Sequence, residues 1–99
     1  MIDPEIVAAC EGFDWDDANA GKVWRRHRVT VTECEEAFAK APLLFADDHK
    51  HSLTEARYHA IGQTDAGRVL FMVFTLRKNV IRIISARPAN RREREEYEV

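Results

Sequence analysis

The sequence has few cysteine, proline and glycine residues: two cysteines, three prolines and four glycines among 99 residues. Cys10 and Cys34 fit no zinc or redox spacing, so reduced cysteines are expected. The first residues lack the basic and apolar regions of a signal peptide. The longest apolar run, Val69 to Phe74, is far too short to span a bilayer. We therefore predict a cytoplasmic protein that does not enter a membrane.

Charge is the abundant property, with 15 Lys and Arg, 17 Asp and Glu, and a formal net charge of −2. A negative net charge argues against a protein that coats nucleic acid non-specifically. The charges are unevenly spread, however. Residues 1–56 hold six basic and twelve acidic side chains, whereas residues 57–99 hold nine and five. A basic half permits a focused anion-binding site. The length predicts one domain, residues 1–99, with one modest core.

The first half of the chain is predicted to form a short strand followed by two helices. Residues 11–15 alternate in polarity as a strand does. Asp16 is a suitable N-cap for a helix of about eleven residues. Thr32 and Glu35 have the spacing of a capping box and predict the start of the second helix there.

The second half of the chain is predicted to form four strands and a last helix. The strands are expected at residues 43–46, 57–63, 68–76 and 80–87, with tight turns between the last three. Asn90 and Glu93 have capping-box spacing and open a short helix. The chain is therefore predicted to be an α+β domain, in which two N-terminal helices cover one face of an antiparallel sheet and a short C-terminal helix follows.

Arginines on or beside the predicted strands are the main candidates for chemistry. The guanidinium group is planar, permanently charged and able to bind phosphate in a bidentate manner. We favour Arg87, at the end of the last strand, with Arg77 from the adjacent turn. The other two candidates are Arg57 and Arg82.

Strand alternation and ion pairing limit this interpretation. Alternation places Arg87 on one face with Ile83 and Ile81, and Arg82 on the opposite face. Both arginines are therefore not expected to serve one site. The alternative interpretation is that the arginines form structural salt bridges with carboxylates, for which the candidates are Asp48, Glu55 and Glu93.

A series of short motifs links the sequence to a known family. The motifs are Phe13-Asp-Trp15-Asp16, Arg26-His27-x-Val29, Glu36-Ala37-Phe38, Asp48-His-Lys-His51-Ser52-Leu-Thr-Glu55-Ala-Arg57-Tyr58, Ile61-Gly62, Phe74-Thr75-x-Arg77 and the stretch from Arg82 to Tyr97. Together they resemble the BrnT family of bacterial toxins from type II toxin–antitoxin pairs, over about residues 13–98. Three positions depart from the family pattern: Asn19, Val23 and Arg28.

The resemblance implies a RelE-like fold and an endoribonuclease that stops growth by cutting RNA and is silenced by a cognate antitoxin. Neither a metal nor another cofactor is expected. DNA would be contacted only indirectly, through the antitoxin. The departures on the first long helix leave open whether this copy is active, so the alternative is a catalytically silent module that binds an antitoxin or another partner.

Cleavage without a metal requires activation of a 2′-hydroxyl, stabilisation of the phosphorane and protonation of the leaving oxygen. We assign the catalytic candidates as Arg57, Arg77, Arg87, His51, Glu55 and Tyr97. Among these, the proton-transfer groups would be His51, Glu55 or Tyr97; a loop-capping role for His51 and an anchoring role for Tyr97 are the structural alternatives. Binding of RNA or antitoxin is assigned to His27, Arg91, Arg92 and Arg94.

Overall fold

The computed structural model describes residues 4–40, 43–48 and 55–98. These contain four helices and four strands: α1 Pro4–Ala8, α2 Asp17–His27, α3 Val31–Ala39, β1 Leu44–Asp47, β2 Tyr58–Gln63, β3 Val69–Arg77, β4 Val80–Pro88 and α4 Arg91–Glu98. The predicted α+β class is confirmed. No helix among the described residues has both the length and the apolar character needed to cross a membrane.

The four strands form an antiparallel meander in the order β1-β2-β3-β4. A bulge interrupts the β3–β4 ladder, because Val73 pairs with Ser85 but Phe74 pairs with Ile83. The strict alternation expected for β4 is therefore wrong. Phe71 pairs with Arg87 and Thr75 with Arg82, and residues four apart on β3 point the same way. The extra residue thus places both arginines on one face of the sheet.

The inner face of the sheet packs against α2 and α3. Its core includes Leu70, Met72, Phe74 and Ile83, all fully buried. The Phe38 ring of α3 meets Phe74 edge-on at 4.9 Å between centroids. A smaller apolar cluster on the outer face involves the C-terminal segment: it contains Ile61, Val69 and Ala89, with Phe71 and Tyr97 packed against it.

Helix α2 is fixed at its start by the predicted cap. The Asp16 carboxylate accepts hydrogen bonds from the backbone N–H groups of Ala18 and Asn19. The Asn19 side chain is 3% exposed, and its amide donates to the carbonyl oxygens of Asp14 and Ile83. Arg28, which follows the last residue of α2, caps the helix and has a left-handed backbone conformation with φ of 54°.

Two boundaries in the first half differ from the prediction. The capping box of α3 is Thr30 with Glu33, not Thr32 with Glu35. The pairs share the same spacing, and the earlier one prevails because Val29 already lies in the core and Arg68 fixes Glu33. The strand predicted at residues 11–15 is reduced to an isolated bridge between Phe13 and Ile81.

Helix α4 buries no residue fully. As predicted, Asn90 and Glu93 cap its start, each side chain accepting from the other residue's backbone N–H. The Tyr97 ring packs against the outer apolar cluster, and Glu93 binds Arg87 of β4. A helix of eight residues is marginal alone in water, so these contacts with the sheet hold it in place.

Candidate active site

A basic groove lies between α2 and the strands β3 and β4, with a cavity volume of about 270 Å³. Four of its lining residues are basic or titratable: Lys22, Arg26, His27 and Arg87. The rest of its lining is Val23, Phe71, Val73, Ser85 and Ala86. None of the described residues that line it is an aspartate or a glutamate. The groove therefore has the electrostatic character of an anion-binding site.

The helix places two of these cations by simple spacing. Lys22 and Arg26 are four residues apart on α2, so their side chains lie on the same side of the helix. His27 is the last residue of α2 and is exposed. Within the described part of the chain, neither Lys22 nor Arg26 forms an ion pair. Their charges are thus available to a ligand.

Arg87 forms the opposite wall of the groove and is held from two sides. Its Nη1 and Nη2 donate to the Glu93 carboxylate at 2.7 and 2.8 Å. Its guanidinium carbon lies 4.3 Å from the centroid of the Phe71 ring. The hydrogen bonds from Arg87 lower the pKa of Glu93, and the same pair raises the pKa of Arg87. Among the described residues, Nε of Arg87 has no hydrogen-bond acceptor, so the Nε edge of the guanidinium has no partner there.

A second group of charged residues, here called the ion-paired end, lies at the other end of the β3–β4 hairpin. Arg77 binds Glu55 in a bidentate manner, at 2.9 and 3.2 Å. Arg82 lies 3.3 Å from Asp14 and 3.1 Å from Asp16. Each of these arginines therefore already has a carboxylate partner.

The structure does not bring Arg77 and Arg87 together. Arg77 pairs with Val80 and Arg87 pairs with Phe71. Arg77 lies six residues after Phe71 on β3, which is about 20 Å along a strand. One phosphate group therefore cannot contact both arginines.

Of the other four predicted catalytic residues, the structure describes Arg57, Glu55 and Tyr97. His51 lies outside the described residues. Hydrogen bonding from Arg77 lowers the pKa of Glu55, and the charge of Arg57 nearby lowers it further, so this carboxylate and both arginines belong to the ion-paired end. Tyr97 packs on the outer apolar cluster, as its anchoring alternative predicts.

The predicted binding residues of α4 are mostly engaged with the helix itself. Arg91 pairs with Glu95 on the exposed surface, and Arg94 donates to the carbonyl oxygen of Ala89. Arg92 lines a second pocket, described below, rather than the basic groove. Only His27, among the four residues assigned to RNA or antitoxin binding, lines the groove with Arg87.

Three residues near Arg87 were missed from the sequence. Lys22 and Arg26 could have been found, since two basic residues four apart flank the predicted stripe of α2. His59 lies on β2, with its ring centroid 4.8 Å from that of Phe71, and its Nε2 is 3.1 Å from Oδ2 of Asp48. No local pattern marks His59, because its surroundings depend on the β1–β2–β3 register.

The three departures from the family pattern have structural roles here. Asn19 is buried and holds α2 to the sheet, Val23 is 1% exposed in the core, and Arg28 caps α2. The guanidinium of Arg28 also lies 5.2 Å from the Trp24 ring. Of the three, only Val23 contributes to the groove, as part of its apolar lining.

Among the described residues, no group of three or more His, Cys, Asp or Glu side chains is arranged to hold a metal ion.

Comparison with protein families gives a match over residues 15–93 to a family described as the ribonuclease toxin, BrnT, of type II toxin-antitoxin systems. The matched region contains all of the groove and ends at Glu93, the partner of Arg87. Comparison with curated proteins gives no match.

Proposed function

Because the chain belongs to the BrnT family of ribonuclease toxins from type II toxin–antitoxin systems, we propose that it is an endoribonuclease that cleaves RNA without a metal ion. A cognate antitoxin would neutralise it by covering the active face. The observation that carries this proposal is the basic groove, in which Lys22, Arg26, His27 and Arg87 meet with no carboxylate in the described lining.

The groove supplies what phosphodiester cleavage requires electrostatically. Attack of a 2′-hydroxyl on phosphorus places additional negative charge on the phosphoryl oxygens, and fixed donors that face this charge lower the barrier. The Nε edge of Arg87 would bind these oxygens, while Lys22 and Arg26 would hold the flanking phosphates. These permanent cations would supply the charge that a bound metal ion supplies in other nucleases.

The pairing of Arg87 with Glu93 is compatible with this role. The carboxylate uses the two terminal nitrogens of the guanidinium, and five N–H donors are present in an arginine side chain. Nε and the second hydrogen of Nη2 form a separate edge, which suits a phosphate. Glu93 and Phe71 would therefore orient the arginine before RNA binds.

The second candidate function is a catalytically silent module that binds an antitoxin. The observation that favours it is the same Arg87–Glu93 ion pair, because a carboxylate already satisfies part of the guanidinium. A purified protein that binds its antitoxin tightly but leaves RNA intact would support this candidate and contradict the first.

Two matched alanine variants test the proposal. Arg87→Ala should lower the rate of RNA cleavage by at least about 100-fold, the usual loss when one charge-stabilising donor is removed, and should relieve growth arrest. Arg77→Ala removes an equal charge from the ion-paired end and should change the rate less than about threefold. Cleavage by the wild type should persist in excess chelator. Equal rates for Arg87→Ala and wild type would overturn the site assignment.

A further inference from the structure

A second pocket adjoins the basic groove across the Phe71 ring, which lines both. It lies between α4 and the outer face of β1–β3 and has a volume of about 470 Å³. Its floor is apolar, with Leu44, Ile61 and Phe71, and its one titratable residue from the sheet is His59. Nothing in the function proposed above uses this histidine.

His59 forms a dyad with Asp48, the residue that follows β1. Its Nε2 lies 3.1 Å from Oδ2 of Asp48, and the side chains are 34% and 4% exposed respectively. A buried carboxylate is stable as an anion when a donor faces it. A neutral imidazole whose Nε2 donates to this carboxylate carries its lone pair on Nδ1. An adjacent carboxylate that orients a histidine in this way is a recurrent arrangement for proton transfer.

The dyad lies close to Arg87. The Phe71 centroid is 4.8 Å from the His59 ring centroid and 4.3 Å from the Arg87 guanidinium carbon. The imidazole and the guanidinium are therefore separated by at most the sum of these distances, about 9 Å. This upper limit allows one nucleotide to reach Arg87 with its phosphate and His59 with its 2′-hydroxyl, each through a hydrogen bond of roughly 3 Å.

We propose that His59 is the general base of the RNA cleavage and that Asp48 positions it; this inference rests on the proposed ribonuclease function. Nδ1 of His59 accepts the proton of the 2′-hydroxyl while the 2′-oxygen forms its bond to phosphorus. The bond from phosphorus to the 5′-oxygen then breaks. The imidazolium returns the proton through solvent to the leaving oxygen. The products are a 2′,3′-cyclic phosphate and a 5′-hydroxyl, and the histidine is regenerated.

The dyad could instead serve only to fasten β1 to β2, and the test separates these roles. His59→Gln keeps an N–H donor near Asp48 but has no basic nitrogen. It should retain the Tm of the wild type to within a few degrees, and its affinity for a 2′-O-methyl oligoribonucleotide, while cleavage falls by about 100-fold or more. His59→Ala should be similarly slow and should regain activity when free imidazole is added, a response that a structural role would not produce.

The outcomes distinguish the two proposals. Cleavage by His59→Gln at the wild-type rate, with Arg87→Ala inactive, would overturn the role of His59 and leave the ribonuclease proposal standing. A slow His59→Ala variant that imidazole does not rescue, at unchanged RNA affinity, would also count against a base at this position. Wild-type protein that leaves RNA intact would overturn both proposals.

Discussion

The basic groove and the ion-paired end contain the same kind of residue but differ in what surrounds it. In the groove, three permanent cations face one cavity, and among the described residues Glu93 is the one carboxylate paired with them, through Arg87. At the ion-paired end, Arg77 and Arg82 meet three carboxylates. The groove therefore has fewer carboxylates per cation than the ion-paired end and leaves more positive charge for a ligand. The number of arginines on a surface therefore says less about phosphate binding than the number of carboxylates around them.

The difference follows from how the chain crosses the edge of the sheet. The segment before α2 runs beside β4 through the Phe13–Ile81 bridge, and this brings Asp14 and Asp16 to Arg82. Helix α2 then continues toward the other end of β4, where Lys22 and Arg26 come to face the groove. The acidic half of the sequence thus neutralises one end of the hairpin and adds cations to the other.

The largest effect should come from removing the groove cations. Lys22→Ala/Arg26→Ala should weaken binding of a non-cleavable 2′-O-methyl oligoribonucleotide and reduce the slope of log affinity against log salt by about 1.4, since each contact with a single strand contributes about 0.7. Fluorescence anisotropy across a salt series measures this. The control, Arg77→Ala/Lys78→Ala, removes the same charge at the ion-paired end and should leave the slope unchanged. Equal slopes in both variants would remove the distinction between the two regions.

An intermediate effect, on stability rather than affinity, is expected from Asn19→Ala. The Asn19 amide donates to the carbonyl oxygens of Asp14 and Ile83 and is buried. Its loss leaves both carbonyls without this donor and should cost about 1–3 kcal/mol, which corresponds to a fall in Tm of roughly 5–15 °C. RNA affinity below the transition should be unchanged. Asp17→Asn, at an exposed position in the same turn, is the control. If this variant lost as much Tm as Asn19→Ala, the buried hydrogen bonds of Asn19 would not be what stabilises α2 on the sheet.

Local patterns in the sequence were sufficient for the order of the elements from α2 onward, because caps, turns and apolar periodicity are properties of neighbouring residues. Asp16, Asn90 and Glu93 were identified correctly as capping residues. The face on which Arg87 lies was not predictable, since a bulge opposite Val73 and Phe74 shifts the alternation of β4. The choice between two capping boxes of equal spacing likewise depended on a distant arginine, Arg68.

The candidate site could be predicted only in part. Arg87 and His27 were named from the sequence and line one groove, whereas Arg77 and Glu55 form a separate ion pair. The separation depends on strand register, which an individual residue does not reveal. His59 was missed for the same reason: its partner Asp48 and its neighbour Phe71 come from adjacent strands.

The smallest effect is expected from neutralising the carboxylate that pairs with an arginine in each of the two regions. Glu93, 13% exposed, binds Arg87, and Glu55, 35% exposed, binds Arg77. Because hydrogen bonding from Arg87 holds the pKa of Glu93 below its usual value of 4.5, this group stabilises the folded state above that pH, and the contribution disappears as pH falls through the lowered folded value. Glu93→Gln should therefore lower the Tm by about 3 °C at neutral pH and by progressively less as the pH falls below about 4.5.

Glu55→Gln, at the more exposed pair, provides the matched comparison. Its pKa is also lowered by its arginine, but solvent screens an exposed pair, so its effect on Tm should be smaller at every pH. RNA affinity adds a second readout: Glu93→Gln releases a guanidinium into the groove and should keep or increase affinity, whereas Glu55→Gln should not alter it. If the two variants changed Tm and affinity alike, the carboxylate environment would not be what separates the groove from the ion-paired end.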